Sequence, residues 1–227
     1  MHFDSFVLAA ATTDLDDEPA AREHADAMEF RLDGASAPLA ALDSYTGALP
    51  LIATNRPERE GGGVPDGPGR LDTLREAAEM PGVAAIDVEL SSVEAGDADA
   101  VIDAARTADT RVIVSTHDFK ATPTRERLRE LLSRAGEHGD VAKLAVTAQS
   151  PADVLDVLEV TWAATRDDET VATMAMGEAG RHSRAVAPLY GSRIGYAPVD
   201  PARATAPGQY DLSTLRQLVN QLSGPED

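Results

Sequence analysis

A chain of 227 residues fits one large α/β domain, and a hydrophobic content of 43% excludes a disordered protein. Its 39 acidic and 20 basic residues give a net charge of −19 without a basic stripe, which argues against nucleic acid and anionic membranes as partners. The absence of cysteine excludes disulfides and thiolate chemistry, and the lack of a signal-like start or a membrane-length apolar run predicts a soluble, cytoplasmic protein.

Short apolar runs alternate with longer stretches of helical spacing along the whole chain. The predicted strands are Ser5–Ala10, Ala27–Leu32, Pro50–Thr54, Ala84–Leu90, Arg111–Ser115, Val141–Val146, Val171–Met176 and Ser192–Ala197. The predicted helices are Glu18–Asp26, Pro38–Thr46, Gly69–Glu79, Asp97–Ala108, Thr124–His138, Pro151–Thr165, Arg181–Leu189 and Leu212–Leu222.

Regular alternation of strands and helices indicates a parallel sheet with right-handed crossovers. Eight strands and eight helices predict a (β/α)₈ TIM barrel that forms a single domain over residues 1–227. An open doubly wound sheet is the alternative, but no glycine-rich nucleotide-binding motif follows the first strand. The glycine-rich stretch Glu60–Gly69 follows the third strand and is predicted to lie at the carboxyl-terminal rim, where barrel enzymes build their active sites.

Charged residues recur at the predicted strand ends, where a barrel interior is normally apolar. Each one alone has a structural explanation, such as an ion pair or a helix cap. Because the strand ends of a barrel converge on one pocket, the whole set is more informative. The residues concerned are Glu29, Arg31, Arg56, Glu60, Asp87, Glu89, His117, Asp118, Lys143 and Arg184.

Lysine is scarce in this chain, since only two of the 20 basic residues are lysines, Lys120 and Lys143. Arginine keeps its proton in proteins, whereas a buried lysine can lose it, so each lysine is a candidate for amine chemistry. Lys143 lies inside the apolar run Val141–Val146, which predicts a side chain directed into the barrel or a helix layer. Lys120 lies in a polar loop and is interpreted as a rim charge.

The predicted environment of Lys143 suits covalent chemistry. Burial, with Arg31 or Arg56 nearby, is expected to lower the pKa of its ammonium group. A neutral amine attacks a ketone or aldehyde and forms an imine, which acts as an electron sink after protonation. A structural ion pair with Asp87 or Glu89 is the alternative, because buried lysines need partners.

His117 is the candidate acid–base group, because an imidazole titrates near neutral pH. Glu60 or an acid of the fourth strand is expected to orient it. A metal site with Asp118 and Glu89 is disfavoured, because no second histidine lies at ligand spacing and His182 is the only other plausible contributor.

Several stretches, taken in order, resemble the type I 3-dehydroquinate dehydratases, the Schiff-base class of the shikimate pathway. One such stretch is a weak signal, but the ordered set covers nearly the whole chain. The matching stretches are Glu29–Asp33, Pro50–Gly62, Ile86–Leu90, Val114–Phe119, Lys143–Val146, Gln149 and Ser150, Met174–Gly177, Ser183 and Arg184, and Ala206–Gln209.

The resemblance implies a (β/α)₈ barrel that dehydrates 3-dehydroquinate to 3-dehydroshikimate without a cofactor. It implies that Lys143 condenses with the C3 ketone, and that His117 removes a proton from C2 and protonates the departing C1 hydroxyl. It assigns assistance of the histidine to Glu60 and binding of the substrate carboxylate to Arg184. The residues it assigns to the ring hydroxyls and the closing loop are Glu29, Arg31, Arg56, Thr205 and Gln209.

Two departures from the family pattern stand near the end of the chain. Thr205 replaces a serine that is common in the family, and the stretch from Arg184 to Thr205 is slightly long.

A class I aldolase-like barrel and a non-catalytic carboxylate-binding barrel are the competing functions. The resemblance also suggests a homodimer, and the dispersed acids suggest adaptation to concentrated salt over an ordinary solvated surface.

Overall fold

The computed structural model describes residues 1–200, 202 and 206–224. Its eight parallel strands are β1 (Val7–Thr12), β2 (Ala27–Arg31), β3 (Leu51–Thr54), β4 (Val83–Glu89), β5 (Arg111–Asp118), β6 (Val141–Thr147), β7 (Val171–Met176) and β8 (Ile194–Pro198). They form one sheet in the order β7-β6-β5-β4-β3-β2-β1-β8. The two sheet edges approach each other, and the amide of Arg193 donates to the carbonyl of Val171 at 2.7 Å. The sheet is thus a nearly closed barrel, which confirms the predicted (β/α)₈ fold.

Helices follow the strands on the outside of the barrel. They are α1 (Glu18–Ala21), α2 (Pro38–Ser44), α3 (Pro68–Ala78), α4 (Leu90–Glu94), α5 (Asp99–Thr107), α6 (Arg125–Gly136), α7 (Pro151–Arg166), α8 (Gly177–Gly180), α9 (Ser183–Val186) and α10 (Leu212–Ser223). The larger apolar cluster lies between these helices and the sheet. Among the described residues, no helix has the length and apolar character needed to cross a membrane.

The barrel interior is filled at one level by small and branched apolar residues, including Ala27, Ala85, Ile113 and Val141. Alternate side chains of a strand point to the same face. The next inward positions, two residues further along the same strands, are therefore polar. They are Glu29, Asp87, Ser115 and Lys143, each at most 5% exposed. The apolar level thus supports a layer of charges at the carboxyl-terminal end.

The fifth strand is longer than predicted. It was expected to end at Ser115, but its ladder with β6 continues through Thr116, His117 and Asp118, and His117 lies opposite Ala145. Backbone pairing in a ladder does not require apolar side chains, so the polar ending does not stop the strand. As a consequence, His117 is held by the sheet.

The predicted helix Arg181–Leu189 was wrong as one element. Within that range the structure has the short helix α9, followed by a 3-10 turn over Ala187–Tyr190, whereas α8 ends before it at Gly180. Pro188 lacks the amide that a continuing helix requires. The Ser183 hydroxyl accepts from the Ala175 amide at 2.9 Å and so fixes α9 against β7. This contact places the neighbouring Arg184 over the barrel mouth.

Candidate active site

A cleft opens at the carboxyl-terminal end of the barrel. Eight of the nine predicted site residues line it, and the ninth, Thr205, lies outside the described residues. A larger groove between α3 and α5 lies outside the barrel, and none of the described site residues lines it. The residues of the cleft are Glu29, Arg31, Arg56, Glu60, Gly61, His117, Phe119, Lys143, Ala145, Met174, Met176, Arg184, Tyr196, Ala206 and Gln209.

Lys143 lies in the barrel wall with 4% of its surface exposed, as its apolar neighbours predict. Its Nζ donates to Asp87 Oδ2 at 2.7 Å and lies 3.9 Å from Glu29 Oε1. The same nitrogen lies 4.0 Å from the centre of the Tyr196 ring, a distance typical of a cation–π contact. The ion pair with Asp87, which the sequence leaves open as an alternative, is therefore present.

Arg56 connects the buried acids of β4. It contacts Asp87 Oδ1 at 2.8 Å, Glu89 Oε1 at 2.7 Å and the Ser115 hydroxyl at 2.8 Å. Burial alone would raise the pKa of Asp87, but the charges of Arg56 and Lys143 hold it well below its usual range. Asp87 is thus a permanent anion beside the Lys143 nitrogen.

Glu89 was a candidate partner for Lys143, but it pairs with two arginines. Arg70 on α3 lies 2.8 Å from Glu89 Oε2, and Arg56 contacts the other oxygen. Arg56 was expected to act on Lys143, but its own charge is compensated by Asp87 and Glu89. Around Lys143, the buried cations Arg56, Arg70 and Lys143 lie beside the buried acids Glu29, Asp87 and Glu89.

His117 faces Glu60 across the cleft. Its Nδ1 lies 3.0 Å from Glu60 Oε2, and its ring stacks with Phe119 at a centroid distance of 6.3 Å. Burial, together with the charges of Arg56 and Lys143, lowers the pKa of His117 well below its usual value. A neutral imidazole that donates from Nδ1 to a carboxylate leaves Nε2 free to accept a proton. This is the geometry of an oriented general base.

Arg31 and Glu29 do not form the ion pair that an E-x-R sequence suggests. Arg31 instead pairs with Asp33 through two bonds of 2.9 and 2.7 Å. Glu29 accepts from the Thr54 hydroxyl at 3.0 Å and faces Lys143. Both side chains nevertheless line the cleft, as their shared strand face predicts.

Arg184 is buried, with 4% of its surface exposed. It contacts Met174 Sδ at 3.8 Å and donates to the Pro207 carbonyl at 3.3 Å, whereas its Nε has no hydrogen-bond partner among the described residues. Burial lowers the pKa of its guanidinium to about 10. Within the described part of the chain, no carboxylate pairs with it, so the mouth of the cleft holds a buried cation suited to a ligand anion.

The segment that carries Gln209 closes one side of the cleft. Gly208 has φ +76°, and a Cβ there would meet the Gly177 carbonyl oxygen at 2.4 Å, so only glycine fits. Gln209 Oε1 accepts from the Ala206 amide at 3.2 Å. These contacts hold Gln209 against the start of α8.

Sequence reasoning missed Tyr196 and Arg59. Tyr196 is 4% exposed, and its hydroxyl has no partner among the described residues. Its position two residues after Ile194, on the inward face of an apolar strand, was the signal available in the sequence. Arg59 contacts Glu60 at 2.9 Å and belongs to a polar loop without a regular pattern.

Among the described residues, no group of three or more His, Cys, Asp or Glu side chains is arranged to hold a metal.

Comparison with known proteins identifies the family. The model of the type I 3-dehydroquinase family matches residues 6–226. The chain belongs to this family. The 3-dehydroquinate dehydratase of Haloarcula marismortui is 61% identical over 98% of both chains. The family assignment favours a dehydratase over the aldolase-like alternative and makes the chain an enzyme.

Solved structures of family members have the same fold. The 3-dehydroquinate dehydratase of Geobacillus kaustophilus superimposes with a TM-score of 0.87 at 28% identity, covering 97% of this chain and 92% of that one. The type I enzyme of Clostridium difficile, solved with covalently modified comenic acid, has a TM-score of 0.84 at 27% identity, covering 96% and 92%. The haloarchaeal source of the 61% identical relative agrees with the salt adaptation that the acidic composition predicts.

Proposed function

We propose that this enzyme dehydrates 3-dehydroquinate to 3-dehydroshikimate through an imine on Lys143. One observation carries the proposal: a buried lysine amine and a buried arginine without a carboxylate partner among the described residues line the same cleft as His117. An amine that can condense with a ketone and a cation that can bind a carboxylate together favour a keto acid as substrate. The type I family assignment supports this substrate class.

The first step is condensation at Lys143. The amine gives up its proton, attacks the C3 ketone of the substrate, and releases the ketone oxygen as water. The resulting protonated imine carries its positive charge where the ammonium was, beside Asp87 and under the Tyr196 ring. Because the charge balance of the buried layer is the same before and after, Asp87 stabilises the iminium without rearranging.

The second step is loss of water from the ring. His117 Nε2 takes the proton from C2, the C2–H electron pair forms the C2=C3 double bond, and the π pair of the C=N bond moves onto the Lys143 nitrogen to give a neutral enamine. When the nitrogen pair restores the C=N bond, the C2=C3 pair forms the C1=C2 double bond, the C1–OH bond breaks, and His117 donates its proton to the departing hydroxyl. Hydrolysis of the imine then frees the product and restores the Lys143 amine. One water is consumed and two are released, so the net reaction is the loss of one water.

Substrate binding is assigned to the remaining residues of the cleft. Arg184 binds the carboxylate through its planar fork of donors. Glu29, Arg31 and Arg56 bind ring hydroxyls, and a guanidinium with five N–H groups retains donors beyond the protein bonds of Arg56. Gln209 contributes from the closing segment. The assignment of Thr205, outside the described residues, stays a prediction.

Replacement of His117 tests the function. Turnover of 3-dehydroquinate, followed by the ultraviolet absorbance of the conjugated product, should fall by roughly 10²–10⁴-fold in His117→Ala, the usual range for loss of an acid–base group. His182→Ala is the matched control, because that histidine is exposed. Wild-type protein that forms no conjugated product, or a His117→Ala variant with normal turnover, would contradict the proposal.

A further inference from the structure

Arg59 joins the loop after β3 to the start of α4. It lies in a 3-10 turn over Glu58–Glu60. Its Nη1 donates to Glu60 Oε1 at 2.9 Å and to the Ser91 hydroxyl at 2.8 Å. Its Nη2 donates to the Ser92 hydroxyl at 3.3 Å, and its Nε pairs with Asp66 further along the loop. One guanidinium thus fixes both ends of the loop to α4.

These contacts divide the two oxygens of Glu60 between different partners. Oε1 accepts from Arg59, with the Ser91 hydroxyl at 3.4 Å, whereas Oε2 faces His117 Nδ1 at 3.0 Å. The next residue, Gly61, has φ +78° and ends the turn in the left-handed region that suits glycine. The orientation of the carboxylate toward His117 is therefore set by Arg59.

The electrostatic surroundings of Glu60 are mixed. Burial and the acids of β4 raise its pKa, and the two arginines of its own loop oppose this shift. Arg56 already neutralises two acids of β4, so Arg59 is the cation that contacts Glu60 directly. The charged and titratable groups that face Glu60 are Arg56 and Arg59 on its loop, Asp87 and Glu89 on β4, and His117 on β5.

We propose that Arg59 is a positioning residue that keeps Glu60 an ionised acceptor for His117 Nδ1. The proposal rests on the proposed function, in which His117 Nε2 is the base. A Glu60 carboxylate accepts from Nδ1–H and leaves the lone pair on Nε2. A protonated Glu60 would instead donate to Nδ1 and leave the ring proton on Nε2, where it blocks proton abstraction.

The direction of the pH effect follows from this arrangement. Activity is lost as the pH falls through the pKa of Glu60, because the protonated acid selects the wrong tautomer of His117. Removal of the Arg59 charge raises the pKa of Glu60, since that charge lowers it. The acidic limb of the kcat/KM profile then moves to higher pH.

Arg59→Gln and Arg59→Lys test the proposal in the full-length enzyme. For Arg59→Gln, the acidic limb of the kcat/KM profile with 3-dehydroquinate should move to higher pH, so that the variant loses activity on the acidic side of the profile and keeps it on the plateau. Arg59→Lys should restore part of the shift, because the charge remains. Arg75→Gln is the matched control, since its side chain is 38% exposed against 37% for Arg59 and it lies outside the cleft.

Borohydride trapping of the imine separates this inference from the proposed function. The yield of trapped imine and the wild-type turnover measure the Lys143 chemistry. The pH at which the acidic limb of kcat/KM lies measures the effect of Arg59. The role of Arg59 is supported if Arg59→Gln moves the acidic limb of kcat/KM but still forms the trapped imine, and if Arg59→Lys partly restores the position of the limb. An unchanged limb in Arg59→Gln overturns it, and so does an equal loss at every pH in both variants, which indicates a purely structural residue.

Discussion

Arg184 differs from the other buried arginines at the residue scale. Arg56 and Arg70 each contact carboxylates of the protein, so their charges are already compensated. Arg184 has only a thioether and a carbonyl oxygen as polar contacts among the described residues. Burial of an uncompensated charge lowers the stability of the protein. A carboxylate of the ligand would offset this cost when it binds.

Arg184→Lys should fold but bind the substrate less tightly. Loss of a bidentate contact to a carboxylate costs roughly 1.5–3 kcal/mol, or about one to two decades of affinity. The measurement is a titration with 3-dehydroquinate or a carboxylate-bearing product analogue. Arg181→Lys is the control, because Arg181 stacks on the Tyr210 ring at 4.3 Å, a cation contact that lysine can also make. Greater sensitivity at Arg181 would place the carboxylate site elsewhere.

At the scale of elements, α10 depends on one capping residue. Asp211 precedes the helix, and its side chain accepts from the Thr214 amide at 2.9 Å. These hydrogen bonds lower the pKa of Asp211 to about 2. The helix begins shortly after Gln209, so the cap also fixes the end of the segment that closes the cleft.

Asp211→Ala should destabilise the enzyme by about 1 kcal/mol, a typical cost for losing a cap. For a chain of this size, the melting temperature falls by about 2–4 °C. A carboxyl with a depressed pKa stabilises the fold above its unfolded pKa, and that contribution is lost as the pH falls through about 2. Thermal unfolding between pH 7 and acid checks this, with Asp211→Asn as the control that keeps a cap without the charge. Equal melting of all three proteins at neutral pH would show that the cap contributes nothing.

Most strands and helices were predictable from the sequence, because short apolar runs alternate regularly with longer stretches of helical spacing. Lys143 was assigned to the interior from its apolar neighbours, and the barrel confirms it. The choice between Asp87 and Glu89 as its partner was not predictable, because the two acids lie two residues apart on one strand face. In the structure, Arg70 pairs with Glu89, which leaves Asp87 for Lys143. Arg70 belongs to α3, and the packing of α3 against β4 cannot be deduced from the local sequence.

Irregular segments account for the errors. The end of β5 was misplaced because His117 and Asp118 are polar, although their backbones continue the ladder. The error at Arg181–Leu189 concerns α9, whose position depends on the contact of Ser183 with β7, which is a tertiary interaction. The loop that carries Arg59 has no periodicity, so its contacts with Ser91 could only be found in the structure.

The whole molecule carries a large excess of negative charge. Many exposed arginines are paired, such as Arg125 with Asp156 and Arg127 with Glu130, and salt weakens such pairs. With 39 acids and 20 bases, repulsion among the unpaired acids outweighs this loss. Screening is therefore expected to stabilise the fold.

The melting temperature should rise as potassium chloride increases from low to molar concentrations. Chloride is the suitable salt, because sulfate also strengthens apolar burial and would mix two effects. Thermal unfolding over the salt series measures it, and sucrose at matched osmolarity controls for solvent exclusion. A flat or falling midpoint would contradict salt adaptation and leave the enzymatic proposal unaffected.

The predicted homodimer stays a prediction that sedimentation equilibrium can test.

Borohydride reduction in the presence of 3-dehydroquinate tests the central claim most directly. The chain has two lysines, and only Lys143 lines the cleft, whereas Lys120 lies in the exposed turn after β5. Mass mapping after proteolysis should find the reduced adduct on Lys143 alone, and only when substrate is present. An adduct on Lys120, or continued turnover without any substrate-dependent adduct, would contradict the account.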